Sequence, residues 1–158
     1  MASRRSGPLP AYRIADGRLP IFDPTGAARN GGRWNSPGRR VIYAATTYSG
    51  ALLETLAHTN IGVIPKYQMY VELRIPAEVE IEEATAADIP GWDAPDQKAS
   101  RQYGDRWLKE RRTAVLLVPS VVTRMERNVV INPEHPACAK IQVSAPQPVI
   151  WDQRLFRR

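Results

Sequence analysis

The sequence predicts an α+β fold: a single compact domain with a mixed or antiparallel sheet core and few helices. Three observations lead there. Strand-like apolar runs outnumber helical segments, and the two helical segments lie too far apart for repeated strand–helix–strand units. The length of 158 residues suits one domain with its own core and leaves little room for a second. The 14 prolines are scattered, cutting the chain into short elements with no repeat and no low-complexity linker.

The elements follow in order. Residues 1–10 read as an N-terminal tail and 11–156 as the domain. Residues 12–14 read as a short strand. Residues 16–40 read as one long loop carrying Gly17, Gly26, Gly31, Gly32 and Gly38, and a loop of that size in a small domain is often functional. Residues 41–44 are a compact apolar strand. Thr46 or Thr47 caps a helix running through His58, with Tyr48, Leu52, Leu53, Leu56 and Ala57 on its apolar arc. Residues 68–75 alternate as a strand, with Met69, Val71, Leu73 and Ile75 on one face, and 79–81 add another. Residues 97–112 look helical: Asp105 and Lys109 form an i,i+4 pair and Trp107 and Leu108 supply the buried side, although Gly104 weakens the pattern. A fully apolar run at 114–118 ends in Pro119-Ser120. Strands at 128–131, 140–143 and 149–151 complete the set.

Charge narrows the functional classes. Lys and Arg number 22 against 16 Asp and Glu, a net charge of +6. Such a balance favours nucleic acid, an anionic nucleotide or an acidic protein partner without choosing among them. The basic residues gather at 4–5, 29–40, 101–112 and 154–158, and the acids at 72–96, so the surface is bipolar and lacks a continuous basic stripe. The one cysteine, Cys138, excludes an intrachain disulfide and fits a reducing compartment. No apolar run follows the basic start, and no stretch approaches the roughly 20 residues that span a bilayer. A cytoplasmic protein without membrane contact is expected.

Several chemistries drop out on motif grounds. There is no G-x-x-x-x-G-K-[ST], no strand-linked G-x-G-x-x-G and no G-x-S-x-G. His58, His135 and Cys138 are too few for a structural zinc site, so no metal is expected. Trp34, Trp92, Trp107 and Trp151 are dispersed and build no stacking platform for single strands.

Three residues remain as a constellation. Arg33 follows Gly31-Gly32, where glycines let backbone approach a ligand and the guanidinium can fork onto a phosphate or carboxylate; an ordinary glycine turn with a surface arginine reads equally well. Glu54 projects opposite Leu52 and Leu56, beside Gly50, Ala51 and His58, which leaves its carboxylate reachable; an exposed glutamate paired with His58 is the plainer alternative. Ser120 ends an apolar strand, where a hydroxyl serves either a pocket or a turn.

The text around these residues is more specific than any one of them. Y-R-I at 12–14, G-G-R-W-N at 31–35, V-I-Y-A at 41–44 and A-L-L-E-T-L-A-H at 51–58 occur in order. G-D-R-W-L at 104–108, L-V-P-S at 117–120, E-R-N-V-V-I-N-P-E-H-P at 126–136 and W-D-Q-R-L at 151–155 follow. In this ordered set the chain resembles the RES domain, named for its arginine, glutamate and serine, from Tyr12 to Leu155.

The resemblance implies an ADP-ribosyltransferase-like fold and a toxin of a bacterial toxin–antitoxin pair that consumes NAD+. ADP-ribose would pass to a protein, or to water or phosphate. It further implies Glu54, Arg33 and Ser120 as catalytic residues, with Arg13, Arg33, Tyr43, His58 and Asn128 at the NAD+ pocket. Glu54 would stabilise positive charge developing on the ribose. Arg33, helped by Arg13, would grip the diphosphate, and Tyr43 would offer a flat face to nicotinamide or its ribose. Ser120 would orient Glu54 or the substrate; no evident base activates it as a nucleophile. The implied partner is a cognate antitoxin, commonly DNA-binding, whose tail blocks the cleft, and direct nucleic-acid binding by this chain is not expected. The competing readings are a basic nucleic-acid-binding module without catalysis and a catalytically dead member of the family. Residues 65–95 carry no signature.

Overall fold

A computed structural model describes residues 5–59 and 62–157. The strands are β1 (Leu9–Asp16), β2 (Ile42–Ala45), β3 (Gln68–Ile75), β4 (Ile81–Glu83), β5 (Val115–Pro119), β6 (Arg127–Ile131), β7 (Gln142–Val143) and β8 (Gln147–Pro148). The helices are α1 (Thr25–Asn30), α2 (Tyr48–Ala57) and α3 (Lys98–Glu110). All strands join one sheet in the order β4-β5-β6-β2-β1-β3-β7, with β8 also on β3. The β4–β5 pair is parallel; the other pairings are antiparallel. This is the α+β domain with a mixed sheet that the strand-rich pattern predicted.

Alternation along the strands gives the sheet two different faces. On one, Ala11, Ile42, Ala44, Val71, Leu73, Val115, Val129 and Ile131 form the larger buried cluster. On the other, Leu116, Val118 and Val130 pack against Trp34, Trp92 and Trp107. α3 brings Trp107, Tyr103 and Leu108 onto this second face, while α2 lies over β1 and β2.

Five readings of the sequence are corrected. The supposed loop at 16–40 contains α1: the backbone N–H of Thr25 bonds the Asp23 side chain at 2.8 Å, Pro24 sits at the N-cap, and Gly31, at a φ of 69°, closes it. That helix buries no residue, so it left no apolar period to read. β1 is longer than 12–14 and absorbs Leu9 and Pro10, assigned above to the tail. Pro10 is tolerated because it lies beyond the end of β2, which meets β1 at Tyr12–Ala45, and pairs with Arg74 of β3 alone. The strand placed at 79–81 is β4, two residues later. The strand placed at 149–151 lies at Gln147–Pro148 instead, because Ile150 is exposed and Trp151 turns to stack edge-on against Phe156. Finally, the sheet-facing side of α2 is small: Gly50 and Ala51 are its buried residues, whereas Leu53 stays 46% exposed. Small residues let the helix lie close to the sheet, and Glu54 shares their side.

Candidate active site

On the second face α3 packs against the Trp34 and Trp92 cluster, and α2 lies over β1 and β2. Cross-strand register puts Tyr43 opposite Val130, and Ala45 opposite Asn128, so Tyr43 and Asn128 point to that face. Val118 and Val130, toward α3, are fully buried. Tyr43 packs against the same cluster, whereas Asn128 is half-buried and reaches Glu54 of α2. Asn128 forms the floor of the site.

Glu54 reaches this floor from α2, a helix started by Thr47, whose hydroxyl accepts from the Gly50 N–H at 2.9 Å. One carboxylate oxygen, Oε1, accepts from the Ser120 hydroxyl at 2.9 Å and from the Asn128 amide at 2.8 Å. Both donors are neutral, and Oε2 has no partner among the described residues. Ser120 is 1% exposed, and its Oγ also accepts from the Thr123 N–H at 3.1 Å. With its O–H directed at Glu54, Ser120 works as a fixed donor that orients the carboxylate.

Arg33 is tied to the other wall. Its Nη1 donates to the carbonyls of Trp92 and Ala94, both at 3.0 Å. Asp93, between those carbonyls, pairs with Arg124 at 2.8 Å, and the Arg124 N–H donates back to the Ser120 carbonyl at 2.9 Å. An unbroken series of contacts therefore links Arg33 to Ser120 and Glu54 through residues 92–94. The Nη2 and Nε edges of Arg33 have no partner among the described residues. Sequence reasoning missed Trp92, Asp93, Ala94 and Arg124, because carbonyl acceptors carry no residue-type signal and the segment lies where no family text was recognised.

Three of the remaining site candidates take supporting positions. The Tyr43 hydroxyl donates to Asn35 at 2.6 Å and accepts from the Trp34 N–H at 3.0 Å. Burial pushes its phenol far above the ordinary value, the Trp34 N–H opposing. It clamps the Gly32-Arg33-Trp34 turn, with Arg101 holding the Gly32 carbonyl at 2.7 Å. Arg13, expected beside Arg33, starts from the opposite face of β1 by alternation. Its guanidinium is committed to the carbonyls of Ile21, Tyr43 and Asp23 at 2.6, 2.8 and 3.4 Å. Desolvation lowers its pKa, with Asp23 pulling the other way. His58 is exposed, and its Nδ1 bonds the backbone carbonyl of Glu54 at 2.7 Å, not the carboxylate. It caps the helix end outside the Glu54–Ser120–Asn128 cluster.

Gly104 explains how α3 comes this close. A Cβ there would lie 1.8 Å from the Trp34 carbonyl oxygen, so the glycine that weakens the helix on propensity grounds is what lets α3 pack against the residue after Arg33. No group of three or more His, Cys, Asp or Glu among the described residues is arranged to hold a metal. No helix among them is long and apolar enough to cross a membrane.

A carboxylate held by neutral donors and an arginine presented by a glycine turn thus stand on the same side of an α+β scaffold, joined through residues 92–94. The RES domain family model matches residues 10–152, and the chain belongs to that family. It is 41% identical over 137 residues to the Prs ADP-ribosylating toxin of Sphingobium sp. strain YBL2, spanning 84% of this chain and 85% of that protein. It is 38% identical over 136 residues to a toxin Res of Pseudomonas putida, spanning 84% and 90%. Among solved structures, the M. tuberculosis MbcT–MbcA toxin–antitoxin complex superposes with a TM-score of 0.72 over 89% of this chain and 86% of that one, at 16% identity. That identity speaks for the shared fold alone.

Proposed function

We propose that this protein is an NAD+-consuming toxin that transfers ADP-ribose to a protein. The carrying observation is the Glu54 carboxylate, fixed through one oxygen by Ser120 and Asn128 and in contact with no cation among the described residues. Breaking the nicotinamide–ribose bond sends the bonding pair out with nicotinamide and builds positive charge on the ribose ring. A preorganised carboxylate stabilises that charge where it develops, and the free Oε2 suits a ribose hydroxyl. The acceptor atom then bonds to ribose C1 and loses its proton. The open Nη2 and Nε edge of Arg33 suits the diphosphate. Arg13 contributes by fixing the Tyr43 strand and the turn at Ile21, not by touching substrate. Transfer to protein is preferred over water or phosphate because a relative 41% identical along most of both chains is an ADP-ribosylating toxin.

The basic clusters support this reading over nucleic-acid binding. Arg101 and Arg112 are spent on an internal carbonyl and internal carboxylates, and Arg39 and Arg40 are paired with Asp105 and Glu134. Incubating the purified protein with labelled NAD+, with and without phosphate and cell lysate, tests the proposal. Label moving onto a protein band is the expected result. Free ADP-ribose or its phosphate alone would reassign the acceptor, and no turnover under any condition would end the enzymatic reading. Arg33→Ala and Glu54→Ala should each abolish turnover with the fold intact. A cognate antitoxin that covers the site is part of the same proposal: co-expression with the neighbouring reading frame should yield a complex and suppress toxicity, and failure of both discards it.

A further inference from the structure

α2 has a second side. Glu54 lies six positions after Tyr48, which sets their side chains about 120° apart around the helix axis. Glu54 turns toward β5 and β6, whereas Tyr48 turns over β1 and β3. There its ring meets Tyr12 with centroids 6.0 Å apart at 67° and Tyr70 at 4.9 Å and 61°. Register places Tyr12 opposite Glu72, and Tyr70 opposite Ile14, so all four side chains share this face. With Pro148 and Ile150 they line a pocket of about 280 Å³. Glu72 is exposed, and among the described residues no cation lies within ion-pair distance of it, Arg74 on the same strand included.

The molecule fills this same arrangement twice elsewhere. At Glu82, Arg112 places Nε and Nη2 on the two carboxylate oxygens at 2.9 and 3.0 Å, and its guanidinium lies 5.5 Å from the centre of the Tyr103 ring. At Asp16, Arg18 forks onto the carboxylate and sits 4.2 Å from the centre of the Tyr67 ring. Tyr12, Tyr48, Tyr70 and Glu72 repeat the pairing of ring and carboxylate with the arginine missing.

We propose that this pocket is a second binding site, separate from the Glu54 site, that takes the guanidinium of an arginine side chain presented by a partner protein. The rings offer π faces to a delocalised cation and Glu72 offers two acceptors to its fork. Ile150, 88% exposed at the rim, would cover the arginine stem and adjoining backbone. That lip favours a peptide over the free amino acid.

NMR titration of the full chain tests the site without reading NAD+ turnover, so its outcome is independent of the catalytic proposal. The probes are acetyl-Gly-Gly-Arg-Gly-Gly-amide, its citrulline counterpart, which keeps the shape and loses the charge, and free arginine amide. Saturable shifts at the Tyr12, Tyr48 and Tyr70 rings are expected with the arginine peptide, and binding about tenfold weaker with citrulline. Glu72→Gln, at an exposed position, should weaken the arginine peptide similarly while the rest of the spectrum is unchanged. Ile150→Ser should weaken the peptide and not arginine amide. No saturable shift at millimolar peptide, equal binding of citrulline, or full affinity in Glu72→Gln overturns the site. Equal affinity for arginine amide and peptide overturns the protein source.

Discussion

Two glutamates face the helix-bearing side of the sheet, and they are held in opposite ways. Glu82 on β4 receives Arg112 on both oxygens and the Tyr103 hydroxyl on Oε1 at 2.6 Å. Its charge is cancelled and its lone pairs are used. Desolvation and Glu82 together push the Tyr103 phenol up to about 12, as expected for a donor locked onto a carboxylate. Glu54 receives two neutral donors on one oxygen, which fix its position and leave its charge standing. A neutralised carboxylate joins α3 to the sheet; an unneutralised one, held still, is available to a cation that forms during a reaction.

Substitutions separate the two roles. The largest effect is expected from the packing that brings α3 to both regions: Gly104→Ala should lose about 3 kcal/mol or fail to fold, since its Cβ would meet backbone at Trp34. Chemical denaturation reads this, and wild-type stability in that variant would disprove the close approach. Next, Glu82→Gln should cost about 2–3 kcal/mol by removing the largely buried charge onto which Arg112 forks, Glu110 remaining on its Nη1, while NAD+ consumption below the melting transition stays near wild type. Loss of turnover in the folded variant would erase the contrast between the glutamates. Smaller again, Ser120→Ala and Asn128→Ala should each lower kcat about tenfold, the value of one hydrogen bond orienting a charged group, with Tm little changed in Asn128→Ala and lowered in Ser120→Ala, which also strands the Thr123 N–H. If either leaves kcat untouched, the carboxylate is not oriented by that donor. Last, Arg39→Ala removes an exposed pair with Asp105 at 3.5 Å and should change stability by under roughly 0.5 kcal/mol. A larger loss would show that the rim matters to the fold.

The uneven legibility of the chain follows the same physics. The strands were readable where alternation or a continuous apolar run marks a buried face, as at β3 and β5. The Thr47 cap and α3 were readable from local chemistry. α1 was invisible because it buries nothing. The inward face of α2 was misread because small residues, not leucines, meet the sheet. At the site, residues 54, 120 and 128 stand in ordered family text, and the structure brings their side chains together. What text could not show is how backbone is used: Arg33 resting on the Trp92 and Ala94 carbonyls, and Arg13 turned to three carbonyls on the other face. Carbonyls look alike at every residue, so these contacts exist only in three dimensions.

The most direct test of the central claim is single-turnover NAD+ consumption by Glu54→Gln, measured beside its melting temperature. The substitution keeps the shape and the acceptor oxygen for Ser120 and removes only the charge. A rate lower by about 10²–10³-fold with Tm unchanged is expected. A variant that consumes NAD+ at the wild-type rate would contradict it.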